Sequence, residues 1–121
     1  MDISVINLEE KAAKIKERHA YKLVAQLNDL HFKMVKARRE FIWHSHPQTD
    51  EAFMVVEGHL QIELRNQTLH LEKGEMVVIP KGVEHKPVCK EECTVLLIEP
   101  AGTLNTGDAG GALTDTALEW I

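Results

Sequence analysis

A chain of 121 residues is short enough for one domain and long enough to enclose a small β core. Its 44% hydrophobic content is ordinary for a globular protein, and a net charge of −5 with neutral histidines excludes a basic surface for nucleic acid. No apolar run reaches the roughly 20 residues of a membrane span.

The start, Met1 to Glu10, has neither a basic leader nor a long apolar stretch. No secretory signal is expected, and the chain is read as cytoplasmic. Residues 8–19 carry Leu8, Ala12 and Ile15 at three- and four-residue spacing and predict a short helix. Asn7 is its expected N-cap, with Glu9 and Glu10 in the first turn. It is expected to pack over the barrel mouth or against a second subunit. Tyr21 to Leu27 predicts a first strand, and Asn28-Asp29 a turn. Lys33, Lys36, Arg38 and Arg39 form the only local basic excess and read as a solvated edge strand.

Strands and turns then alternate. Leu60, Ile62 and Leu64 alternate with polar residues, as in a half-buried strand. Arg65-Asn66-Gln67 turns the chain, and Leu69 and Leu71 continue it. Met76 to Ile79 is apolar on both faces and predicts a strand covered on both sides. Thr94 to Pro100 reads as the last long strand. Such short runs predict a sandwich or barrel. Cys89 and Cys93 are too few for a disulfide framework and are expected to stay reduced. Residues 101–111 are polar and Gly-rich and predict a loop across the surface. Leu113, Leu118, Trp120 and Ile121 then need a docking surface, on the barrel or on a second chain.

The chemistry concentrates in His44-Ser45-His46-Pro47-Gln48-Thr49-Asp50-Glu51 and, downstream, His85. In an extended segment His44 and His46 share a face, and Glu51 returns to it after a turn cluster. Three imidazole nitrogens and a carboxylate oxygen can hold a divalent transition metal with positions left open. Ligation needs neutral imidazole, so affinity is expected to fall below about pH 6. Phe53 and Val55 share Glu51's parity and should line the interior, as should Ile42 with His44. Phe41 and Trp43 should face away and want cover. Glu57 has Glu51's parity but precedes a turn glycine, where exposure is usual. His19, His31, His59 and His70 lack partners at ligand spacing. There is no Ser-His-Asp set, phosphate-cradling Gly loop or nucleotide fingerprint.

Together, these segments resemble the two motifs of the cupin superfamily. His44, His46, Glu51 and Gly58 stand at the spacing of the first motif, and Gly74, Pro80, Gly82 and His85 at that of the second. Arg38 stands where the first motif opens with Gly, and Cys89 where the second closes with Asn. The resemblance implies an all-β, antiparallel jelly-roll (cupin) barrel with a short N-terminal helix. One domain would span 1–121, with the barrel at about 28–100, the helix at 8–19 and the tail at 101–121. It implies one divalent metal per chain (Fe, Mn, Ni, Zn or Cu) on His44, His46, Glu51 and His85. Oxygen insertion, isomerisation and decarboxylation all occur among cupins. The expectation is therefore a metal-dependent enzyme on a small organic molecule held in the barrel. The alternative is a non-catalytic metal-dependent binder or sensor. A sugar phosphate is not expected, because no interior Arg or Lys cluster is evident. Small one-domain cupins commonly dimerise, and a homodimer is expected, without nucleic acid or membrane partners.

Overall fold

Alternation of apolar and polar residues along short strands gives this chain two faces to bury, and two stacked sheets result. The computed structural model describes residues 3–121; Met1 and Asp2, inside the expected domain, lie outside it. One helix, α1 (Leu8–Lys14), precedes β1 (Lys22–Leu27), β2 (Leu30–Ala37), β3 (Glu51–Glu57), β4 (His59–Leu64), β5 (Thr68–Glu72), β6 (Met76–Ile79), β7 (His85–Val88), β8 (Cys93–Pro100) and β9 (Glu119–Trp120). The large sheet runs β6-β3-β8-β2-β1-β9 and the small one β5-β4-β7. Pairing is antiparallel except that β9 lies parallel to β1. This is the expected jelly-roll barrel with its short N-terminal helix.

Between the sheets lie Val35, Phe53, Val55, Leu60, Ile62, Leu71, Val95 and Leu97. Phe53 and Val55 thus line the interior as their parity predicts. A second cluster, with Ile15, Val24, Met34, Val56 and Leu96, covers the outer face of the large sheet. Leu8 and Ala12 of α1 and Ile121 of the tail pack on it. The helix therefore covers the sheet's back rather than the barrel mouth. It also stops at Lys14, not at residue 19. Asn7 caps its start by accepting the Glu10 amide at 3.0 Å. At its end Ile15 turns extended (φ −81°, ψ 114°). That conformation lets the Ile15 side chain reach the outer cluster, and burial outweighs the helical propensity of residues 16–19.

Four other expectations change. β2 is a central strand, not a solvated edge, and Lys33 on it is 2% exposed. β6 is an edge strand, so Met76 and Val78 are over half exposed rather than covered on both sides. The tail does more than cross the surface, because Asn105 and Thr106 are buried. Cys89 and Cys93 are not two thiols but are joined in a disulfide. The turn between β7 and β8 brings their Cα atoms to 6.3 Å. Among the described residues no helix is long and apolar enough to cross a membrane.

Candidate metal centre

The segment between β2 and β3 carries the first two histidines without forming a regular strand. It touches the small sheet at two isolated bridges, Glu40 with Val88 and His44 with His85. In the second bridge His44 donates its amide to the His85 carbonyl at 3.0 Å, and His85 returns one at 2.9 Å. That exchange sets the two rings side by side, centroids 4.3 Å apart. His46 is fixed from another direction, its carbonyl accepting the Gly82 amide at 2.9 Å. Gly82 has φ +80°, the left-handed conformation that the Pro80-Lys81-Gly82 turn requires and glycine adopts freely. The Asp50 carboxylate accepts the Lys81 amide at 2.9 Å and fastens the same turn. Glu51 is the first residue of β3 and points inward.

All four side chains are buried, and one ligating atom from each lies within 4.8 Å of the others. The rings are oriented through their far nitrogens. His44 Nδ1 lies 2.9 Å from the Ile42 carbonyl, and His85 Nδ1 2.9 Å from that of Val83. A carbonyl only accepts, so each neutral ring carries its proton on Nδ1 and turns the Nε2 lone pair inward. The Glu51 Oε1 atom is 3.2 Å from Nε2 of both His46 and His85. His46 Nε2 is buried and makes no hydrogen bond among the described residues. An inward lone pair against a carboxylate oxygen is favourable only with a proton or a cation between them. The donor set therefore fits a transition-metal cation.

The sequence parity fails at the aromatics. Phe41 is buried against His44, ring centroids 5.4 Å apart, and lines the same cavity. Ile42 is only half-buried. Trp43 does face away, but Arg65 stacks on its ring at 3.7 Å from within the chain. The reason is local: only Glu40 and His44 are bridged, so strict alternation does not hold between them. Beside His44 and Glu51 opens a small cavity. Phe41, Phe53, Leu60, Val95 and Leu97 make its wall largely apolar, with Tyr21, Arg39 and Asn105 as its polar edge.

The cupin-domain family matches residues 30–99 of this chain. The chain is a cupin. It is 51% identical to a cupin-2 domain protein from Shewanella frigidimarina, whose crystal structure superposes with a TM-score of 0.77 over 79% of this chain and 94% of that one. It is 30% identical to protein NMB1881 from Neisseria meningitidis, with a TM-score of 0.73 over 81% of this chain and all of that one. It is also 36% identical, over 66% of its own length and 72% of the relative's, to the uncharacterized protein YdbB of Bacillus subtilis.

This cupin fastens its histidine segment with its tail. Asp108 accepts the Ser45 amide at 2.8 Å and the Ser45 hydroxyl at 3.1 Å, and gives its own amide to the Ser45 carbonyl at 3.0 Å. A Cβ on Gly107 would stand 2.2 Å from that carbonyl oxygen and 3.1 Å from the His44 ring. Gly107→Ala is therefore expected to push the tail off Ser45. Stability should fall by roughly 1–3 kcal/mol, on the scale of overpacking, and metal affinity should fall with it. Thermal melts paired with metal titrations check this; a variant that melts and binds as the parent does would refute the clamp.

A second buried carboxylate escaped the sequence reading. Glu57, the candidate by parity, is exposed and pairs with Lys73. The inward residue is Glu99, which is 1% exposed. Ala52 pairs with Ile98, so Glu51 and Glu99 are cross-strand neighbours. Lys33 lies 3.0 Å from Glu99 Oε1 and donates to the Thr103 carbonyl at 2.9 Å. Burial, then the neighbouring Glu51, pushes the Glu99 carboxyl up, against the pull of Lys33. Burial would also raise Glu51, but the Glu99 carboxyl and the His46 and His85 rings beside it outweigh burial and hold Glu51 below the usual carboxylate range. The signal was present in the sequence: Val95, Leu97 and Glu99 alternate inward along the last long strand.

Burial lowers His44 to about 4, against the hydrogen bond to the Ile42 carbonyl. An unfolded chain takes up that proton near 6.5. This group alone therefore removes stability as pH falls from 6.5 to about 4, while the raised Glu99 acts in the opposite sense above its ordinary value. The ring itself gives the clean readout. In metal-free protein the His44 resonances are expected to titrate near pH 4, so protons compete for this ligand later than the sequence expectation of pH 6. A midpoint near 6.5 would contradict the burial argument.

Proposed function

We propose that this cupin binds one divalent transition metal on His44, His46, Glu51 and His85 and acts on a small organic molecule in the adjoining cavity. The observation that carries the reading is the inward Nε2 of His46 and of His85, each 3.2 Å from the same Glu51 oxygen, in a buried set of four donors. The bound metal supplies Lewis acidity and open coordination positions. The chain's residues hold the molecule beside it, orient it and exclude water, in chemistry of the oxygenase, isomerase or decarboxylase type. Oxygen uptake and product formation by the Fe²⁺-loaded protein, across a panel of small organic acids, alcohols and ketones, test this. Turnover abolished by Glu51→Ala is the expected result.

One observation favours the second reading, a metal-dependent binder or sensor. Apart from the metal set, the cavity's polar side chains are Tyr21, Arg39 and Asn105. Burial holds the Tyr21 phenol above its ordinary pKa, opposed by Asn105 and Arg39, so it stays a donor rather than a base. Among the described residues no free general base then faces the cavity. Saturable binding of a panel molecule without turnover supports this reading over the first.

We also propose a homodimer, on different grounds from those the sequence offered. Phe41 is buried and Trp43 is stacked on, so neither needs a partner. The outer face of the large sheet does. Val78, Ala52, Ile98 and Phe32 align across β6, β3, β8 and β2, and the helix leaves Val78 and Met76 open. Ile3 and Val5 project beside α1 at over 90% exposure. A second copy covers these groups by a two-fold contact. Light scattering at micromolar concentration should give about twice the 13.7 kDa chain mass; a value at 13.7 kDa refutes it.

A further inference from the structure

We propose that Arg39 receives the carboxylate of the cavity's ligand, so that the molecule this cupin takes is a small carboxylic acid with an apolar body. This rests on the reading of the cavity as the ligand site. The chain has four arginines, and three are paired: Arg18 with Glu92, Arg38 with Glu91 and Arg65 with Glu84. Arg39 has no carboxylate within salt-bridge distance among the described residues, although the chain carries 19 acidic side chains. It is also the arginine on the cavity wall.

Arg39 is held in place from two sides. Its carbonyl accepts the Cys89 amide at 2.8 Å. Its guanidinium stacks on Phe41, 4.8 Å from the ring centroid, and the Phe41 ring in turn lies 5.4 Å from that of His44. Stacking holds the fork in place, and its N–H groups meet no carboxylate among the described residues and can take an incoming one. A carboxylate matches that fork with two oxygens. A phosphate dianion would call for further cations. Lys33, which is buried, is committed to Glu99 and the Thr103 carbonyl. Tyr21 shares the wall, and its protonated phenol offers a second donor to the same anion. Phe53, Leu60 and Leu97 leave only apolar surface for the remainder of the molecule. A neutral ligand filling this space would strip water from the guanidinium and give it no counter-charge. Discrimination between an acid and its uncharged isostere follows.

The test compares 3-methylbutanoate and benzoate with their amides, by calorimetric titration of metal-loaded protein whose metal content is measured in each preparation. Each acid is expected to bind at least about ten-fold tighter than its amide, and the ratio to fall to within about two-fold in Arg39→Gln at unchanged metal content. Acid and amide binding alike to the parent protein, or no acid binding up to millimolar concentration, overturns the proposal without any variant. A ratio that survives Arg39→Gln also overturns it, by placing the selectivity on the metal. If the preparations hold no metal but the acid preference still depends on Arg39, the metal reading fails and the role of Arg39 stands.

Discussion

His46→Ala is expected to lower metal affinity by at least about 100-fold while leaving the barrel folded, the larger loss reflecting a ligand rather than one of its supports. His46 Nε2 makes no hydrogen bond among the described residues, so its removal breaks no part of the network that holds the strands. The contacts that orient the segment are the His46 carbonyl with Gly82 and the backbone exchange of His44 with His85, and alanine keeps them. Metal titration of the variant, with a melt of its metal-free form, reads both halves. Full affinity in the variant would remove His46 from the site. A metal-free variant that no longer folds would make this histidine structural instead.

The second large effect lies behind the ligands. Lys33→Ala removes the ammonium that faces Glu99 at 3.0 Å and leaves that buried carboxyl without its cation. Breaking a buried pair from one side costs roughly 3–5 kcal/mol. The loss should shrink when Glu99→Gln is added, because the amide needs no counter-charge, and the two changes should not add. Chemical denaturation of the two single variants and the double variant gives the coupling. A Lys33→Ala protein as stable as the parent would show that the pair contributes nothing to the fold.

Much of this was legible in the residues. The strands that alternate over several residues, such as Leu60 to Leu64 and Thr94 to Pro100, formed where the pattern put them. The four candidate ligands came together because each is tied to a short, well-defined feature: a bridge, a turn with Gly82, the first residue of β3. Phe41 was misplaced because parity was extended through a segment with only two bridged residues. Lys33 was misplaced because a basic cluster says nothing about whether its strand is an edge or a centre. That depends on pairing with β8, more than sixty residues away in the chain. The tail was underestimated for the same reason. Gly107 and Asp108 look like loop residues until Ser45 is beside them.

The metal is the centre of this account, and crystals of protein prepared without a His-tag and loaded with one equivalent of Co²⁺ test it most directly. Anomalous scattering at the cobalt edge should show one ion per chain. It should lie about 2.0–2.2 Å from a nitrogen of His44, His46 and His85 and from an oxygen of Glu51. An ion elsewhere, or these four side chains splayed apart at saturating metal, would contradict it.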